Sequence, residues 1–367
     1  MSRAPGYIRE VVFEAPTVTT DSTSSIAATS AVSGGNVTSD GYKNVVDKGV
    51  CYSTTSGVTI LDNKTSDGTG LGTFASSLTG LSSGIFYYVN AFATNSIGTA
   101  YGSETGFTTT WATGVWSAGG DYPYSISAVG AAGSQSFGVA MGGSNYLGKS
   151  NFYNGSTWVD ELDMVVHRGL TIGIGSPAAG LAVGGVINGD DTALTSTEEL
   201  NITWGTSGTL STGRRNAAGA GTQSAGLVFG GQANPTPTYI ATTEEYNGSA
   251  WSAGGNLLTA TGRQAGCGTQ TAALSFGFQT ESYDGTSWSS ENQMNIPRTY
   301  LAGCGTQSAG LSFGGSNSKK TTEEYNGVNW FSAGDMNNGR HSLGGFGSQD
   351  AAVGFCGSTN ITEEYNS

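Results

Sequence analysis

The chain has 367 residues, of which 60 are glycine; 11% are charged, 37% hydrophobic and 10% aromatic. Glycine follows no three-residue period, which excludes collagen, and aromatic residues with sparse charge exclude a disordered chain. The formal net charge of −13 excludes nucleic-acid binding through the general field of the protein. Small residues, Thr, Ser, Asn and regularly placed Tyr and Trp predict an all-β protein rich in tight turns. No run approaches the ~18 apolar residues of a membrane-spanning helix, so no membrane insertion is expected. The first residues hold no apolar core of signal-peptide length, and release into a cytoplasm is expected. Cys51, Cys267, Cys304 and Cys356 form no CxxC pair. Without an export route they are expected to be free, buried thiols.

In chain order, residues 1–16 form an arm outside any domain. Its Tyr7, Ile8, Val11, Val12 and Phe13 make it either a frayed terminus or a virion anchor that adds to the sheet edge of another subunit. Over 17–110, apolar residues recur at Tyr87, Val89, Ala91 and Ala93, which predicts a strand. Lys48–Tyr52 fits a central strand. Leu81, Tyr87 six residues later, a strand running to Asn95 and a closing Phe107-Thr-Thr resemble the fibronectin type III signature. The resemblance implies one β-sandwich. The tryptophan of many members is missing, so other aromatics must fill that core. The step to Trp111 leaves almost no linker.

After residue 110 the chain repeats. TQSAGLVFGG at 222–231, TQTAALSFGF at 269–278 and TQSAGLSFGG at 306–315 are close copies, with weaker ones at 134–143, 176–185 and 348–357. A second unit such as TTEEYNGSAW follows each, and the sixth stops at Tyr365-Asn-Ser. Trp116, Trp158, Trp204, Trp251, Trp288 and Trp330 each precede the end of an apolar run (Gly142, Gly184, Gly230, Gly277, Gly314 and Cys356) by 26 residues. The way on to the next Trp takes 16, 20, 21, 11 and 16 residues. One half of the unit is therefore fixed in length and the other carries a variable loop. The apolar runs predict inner strands, and Asn-Gly or Asp-Gly before Trp predicts a tight hairpin with positive φ at both residues. Four short antiparallel strands at this period predict a propeller blade. The sixth unit lacks its Trp strand, and the surplus one lies at 112–120. That segment is expected to complete the sixth blade and leave no open edge.

An apolar strand ending in Gly-Gly, then Tyr, then Trp resembles the kelch repeat. So do Met or Leu six residues after Trp (Met164, Leu210, Leu257, Met294, Met336) and Arg at ten (Arg168, Arg214, Arg298, Arg340). The resemblance covers 111–367 and implies a six-bladed kelch-like β-propeller; Leu200 and Phe278 depart from the pattern. The TQTAAL-type copies are similar to those of bacteriophage appendage proteins.

Arg168, Arg214, Arg215, Arg263, Arg298 and Arg340 lie between a Trp strand and the next inner strand, with His167 and His341 beside two of them. In a propeller these loops converge on one face. A ring of guanidinium groups there would bind carboxylates, sulfates or sugar hydroxyls; the other role open to them is tying loops to neighbouring blades. The variable loops carry Tyr146, Asp190, Asp191 and Tyr239, whose tyrosines would stack on sugar rings, unless these loops are solvated decoration. The Glu pairs at 198–199, 244–245, 323–324 and 363–364 point to opposite faces of their strands, so a structural role is expected. His167, His341 and Tyr300 share a face, but no metal-ligand spacing links them. No nucleophile triad, P-loop or dinucleotide motif is present. No metal, cofactor or enzymatic activity is expected.

The expectation is a non-enzymatic bacteriophage virion protein, a tail, neck or head fibre or decoration, assembled in the host cytoplasm. Arm and sandwich attach it to other virion proteins. The propeller face binds a host surface polysaccharide or a neighbouring virion protein, and homo-oligomerisation stays open. The alternatives are an intracellular kelch-type protein-binding scaffold and a secreted bacterial glycan-binding or glycan-active protein.

Overall fold

The computed structural model describes residues 12–82, 84–110, 114–144, 148–187, 192–201, 203–234 and 238–367. They form antiparallel sheets, turns and loops. No helix among them is long and apolar enough to cross a membrane. The chain divides into two compact units, Met1–Ala112 and Thr113–Ser367.

In the first unit, Thr17–Thr20, Ser30–Ser39 and Gly72–Thr79 form a three-stranded sheet. A second sheet places Asp47–Ser53 between Asn63–Lys64 and Phe86–Thr94, and both Thr99–Tyr101 and Thr105–Thr108 pair with the far edge of Phe86–Thr94. The alternation read at Tyr87–Ala93 is thus a strand, and Asp47–Ser53 is central. Val50, Leu78, Val89 and Phe107 pack around Tyr87. Aromatics do fill this core: Tyr87 stacks on Phe107 at 5.9 Å and meets Tyr52 edge-on at 6.4 Å. The unit begins earlier than residue 17. Glu14 donates its N–H to the Gly41 carbonyl, and its own carbonyl accepts from Asn95 Nδ2 at 2.7 Å. Phe13 lies beneath Lys43 Nζ, 4.0 Å from its ring centroid, and Val12 is exposed. Tyr7, Ile8 and Val11 lie outside the described residues.

The second unit holds six four-stranded sheets. Sheets one to five run from Gly130–Ser134 to Trp158–Asp163, Ile172–Ser176 to Trp204–Thr206, Ala218–Thr222 to Trp251–Ala253, Ala265–Thr269 to Trp288–Ser290, and Ala302–Gly305 to Trp330–Ser332. Sheet six has Leu343–Gly347, Ala351–Cys356 and Thr362–Asn366, and takes Val115–Ala118 as its fourth strand, with Trp116 opposite Tyr365. The pairing expected of the surplus Trp segment is present.

Local chemistry explains the repeat. Each second strand is apolar and buried, and Ala225–Phe229 ends at Gly230-Gly231 with φ of +63° and +100°, where a side chain is strained. The hairpin before Trp differs from the expected one. Only Gly248 of Asn247-Gly248 has positive φ, at +89°. Asn247 acts through its side chain, whose Oδ1 accepts the N–H groups of Ser249 and Ala250. Four residues, not two, separate the strands, and an Asx turn suits that length.

Three kinds of hydrogen bond recur between neighbouring sheets. Trp Nε1 on a fourth strand donates to a hydroxyl of the preceding sheet: Trp288 to Thr243, Trp116 to Thr322 and, from sheet one to sheet six, Trp158 to Thr362, each at 3.0 Å. A glutamine in the first hairpin donates to two carbonyls of the preceding sheet, as Gln270 does to Gly226 at 3.0 Å and Tyr246 at 2.7 Å. Gln135 of sheet one reaches Ala352 and Tyr365 of sheet six in the same way. A tyrosine Oη donates to the second Glu of the preceding sheet: Tyr283 to Glu245, Tyr365 to Glu324 and, again from sheet one to sheet six, Tyr153 to Glu364. First strands touch in sheet order, and that of sheet one also touches that of sheet six.

Candidate functional site

Arg168, Arg214, Arg298 and Arg340 do not form an open rim. Each is at most 2% exposed. Each pairs with the first Glu of a pair on the sheet its loop enters: Arg168 with Glu198 and Arg214 with Glu244 at 2.6 Å, Arg298 with Glu323 at 2.5 Å, Arg340 with Glu363 at 3.2 Å. Glu198 also accepts the backbone N–H groups of Val165 and Val166. The pair therefore locks the incoming loop to the third strand. For these four the expected ligand-binding role is corrected to the structural one. A desolvated guanidinium needs a buried counter-charge, and each has one. Burial lowers the pKa of all four, and the carboxylate opposes that shift.

Sheet one differs at both positions. Ile126 stands where the arginine would be and Asn151 where the Glu would be, with Tyr122 Oη donating to Asn151 Oδ1 at 2.6 Å. Sheet four keeps Glu281 but has Thr261 at the arginine position. Glu281 accepts from the N–H groups of Leu258 and Thr259, no guanidinium reaches it among the described residues, and burial raises its pKa.

Of the other expected site residues, Tyr146, Asp190 and Asp191 lie outside the described residues. His167 is exposed. Arg215 is half-buried and its backbone bridges Gln232. Arg263 and His341 meet Tyr300, and Arg263 also lies near Tyr239. The Arg263 guanidinium lies 4.6 Å from the Tyr300 ring and 6.0 Å from that of Tyr239, and His341 meets Tyr300 edge-on at 6.3 Å.

Twelve residues after each Trp, at the entry to each first strand, stand Ala128, Leu170, Asn216, Arg263, Tyr300 and Ser342. All six have a left-handed backbone, with φ of +58°, +56°, +50°, +66°, +56° and +53°. A belt of five main-chain hydrogen bonds runs between them. Leu170 N–H donates to the Ala128 carbonyl (3.1 Å), Ala128 to Ser342 (2.8 Å), Ser342 to Tyr300 (2.8 Å), Tyr300 to Arg263 (2.8 Å) and Arg263 to Asn216 (2.7 Å). Glycine would take this φ without the ~1–2 kcal/mol that a β-carbon costs there. The chain has 60 glycines, yet none stands at these positions. The six side chains all differ, while the Trp that precedes each is constant.

The belt frames a recess of about 110 Å³, lined by these six residues and by their neighbours, Thr171 and Gln264 among them. That is smaller than the ~300 Å³ at which drug-sized pockets begin, so the recess suits one small group. No carboxylate pairs with Arg263 among the described residues, and its Nε is buried without a hydrogen bond. Gln264 Oε1 and Thr171 Oγ1 are likewise unpartnered, on side chains 8% and 7% exposed. Beyond the belt, Gly130, Gly173, Gly219, Gly266, Gly303 and Gly345 of the six first strands line one shared space.

Sequence reasoning missed Gln264, Thr171 and the inter-sheet glutamines. The recurring Thr-Gln at 222, 269 and 306 was the available signal for the glutamines. Among the described residues no group of three or more His, Cys, Asp or Glu could hold a metal ion. The four cysteines are free and buried, and burial raises Cys51 to about 11 and Cys267 to about 12, which keeps both thiols protonated and unreactive at neutral pH. No protein-family model matches this chain, and no curated protein matches it either.

Proposed function

We propose that this chain is a non-enzymatic structural and adhesion protein of a bacteriophage virion, a tail, neck or head fibre or decoration. In this proposal the first unit is a fibronectin type III-like sandwich and the second a six-bladed kelch-like β-propeller closed by the strand around Trp116. The arm and sandwich attach to other virion proteins, and the belt end of the propeller binds host surface glycan or a neighbouring virion protein. The propeller reading is supported by the hydrogen bonds of Trp158, Gln135 and Tyr153, which treat sheet six as the neighbour preceding sheet one. The virion assignment rests on the resemblance of the repeats to bacteriophage appendage proteins.

The observation that carries the binding face is the belt. Six unlike side chains occupy left-handed backbone around one recess, and strain retained without glycine points to side chains that do something there. Gln232 and Tyr239, which pair at the base of one variable loop, stand close by, with the Tyr239 ring 6.0 Å from the Arg263 guanidinium, and binding residues concentrate on such loops. Antibody labelling of purified virions by electron microscopy, together with binding of the full chain to a glycan array, tests the proposal. Labelled particles and glycan binding lost on changing belt residues are expected. Unlabelled particles would refute the virion role, and binding unaffected by belt changes would refute the face.

A further inference from the structure

We propose that the recess framed by the belt is a subsite for a hydroxylated carboxylate, a sugar acid such as a uronic acid residue. The subsite lies on the binding face proposed above and rests on that proposal.

Arg263 supplies the charge. The other unit entries with a buried arginine keep a carboxylate of their own, as Arg214 keeps Glu244. Unit four instead has Thr261 at that position and its arginine two residues later, at the belt. Glu281 is thereby left without a cation, and Arg263 is left without a carboxylate among the described residues. The guanidinium is held by rings, 4.6 Å from Tyr300 and 6.0 Å from Tyr239. Stacking orients its planar fork before a ligand arrives, so little further order is lost when a planar carboxylate docks.

Gln264 selects for hydroxyl groups. Its Nε2 donates to the Phe229 carbonyl at 3.1 Å, which fixes the amide and leaves Oε1 as an acceptor without a donor. Thr171 Oγ1 lines the same recess, also unpartnered. Buried polar atoms are nearly always bonded, so these two call for a polar occupant. A bare acidic side chain offers Gln264 no donor. A sugar acid carries hydroxyls beside its carboxylate, and its ring suits stacking on Tyr239, which is 41% exposed. The small recess takes the acidic end of one residue.

NMR titration of the full chain with sodium glucuronate tests this, with glucose as the neutral counterpart and N-acetylaspartate as a carboxylate without hydroxyls. Glucuronate is expected to bind, glucose and N-acetylaspartate more weakly. Arg263→Gln should weaken glucuronate by about tenfold or more, and Arg263→Lys, which keeps charge without the fork, by less. Both variants should melt with the parent chain. Glucuronate binding unchanged in both variants, or matched by glucose, overturns the subsite. Equal binding of N-acetylaspartate overturns it in favour of an acidic peptide. If the subsite fails while glycan-array binding of the full chain is still lost on changing other belt residues, the face proposal survives; if array binding is unaffected by every belt change, the face proposal falls with it.

Discussion

Arg168 and Glu198 stand 2.6 Å apart with neither side chain open to solvent, one on the loop entering sheet two and the other on that sheet's third strand. Removing one partner leaves an uncompensated buried charge, which costs about 3–5 kcal/mol. Arg168→Ala and Glu198→Ala should each lower stability by that order in urea unfolding. The double change Arg168→Ala with Glu198→Ala removes both charges and should lose much less than the sum. Additive losses would show that the two residues are not coupled.

Glu244 and Glu281 occupy equivalent places, but only Glu244 faces a buried arginine. Glu244→Gln orphans Arg214, whereas Glu281→Gln orphans no cation. The melting temperature of the first variant should fall at least twice as far as that of the second. Equal falls would mean that the backbone N–H contacts, and not the ion pair, hold these loops.

The tyrosines that bridge sheets set an alkaline limit. Burial first, and then the neighbouring carboxylates, push Tyr283 and Tyr325 up to about 12 from an ordinary value near 10. The folded state therefore holds these protons more tightly than the unfolded chain. Their contribution is complete below pH 10 and is lost as pH rises toward 12. The melting temperature should be flat up to about pH 10 and then fall as the phenolate absorbance of the bridging tyrosines rises. Phenolate assigned to Tyr283 and Tyr325, by its absence in the Tyr283→Phe and Tyr325→Phe variants, that appears near pH 10 without loss of structure would contradict the bridges.

Gln270 donates to carbonyls of Gly226 and Tyr246 across a sheet boundary. Gln270→Ala leaves both without that donor, a loss of about 1–3 kcal/mol. Hydrogen exchange should accelerate in sheets three and four and stay unchanged in sheets one and six. Uniform acceleration would mean that the glutamine has no local clamping role.

Much of the second unit was legible because its repeats fix strand order. Trp116 was recognisable as the missing partner of Tyr365 because the sixth unit ended before its own tryptophan. The fate of the arginines was half legible. Arg168, Arg214, Arg298 and Arg340 occur with a Glu pair, and unit one lacks both Arg and Glu, which is the mark of a contact. Loop position alone suggested a surface instead, since sequence does not say which way a loop residue turns. The belt was not legible at all. Its signature is a φ angle, and Ala128, Leu170, Asn216, Arg263, Tyr300 and Ser342 share no chemistry that a repeat search would notice. Gln264 and Thr171 stand out only once the recess and its unpartnered atoms are known.

The most direct measurement is a cross-link between the two ends of the second unit. Val115 and Asn366 are directly opposed across the strand pair that completes sheet six, and opposed strand positions lie within disulfide range. The native cysteines are buried and free. In the Val115→Cys, Asn366→Cys double variant, mild oxidation should yield a single intramolecular disulfide between these positions, read by peptide mass spectrometry, and should raise the melting temperature. Two thiols that stay freely alkylatable in the folded, oxidised protein would contradict closure of sheet six by the strand at Trp116.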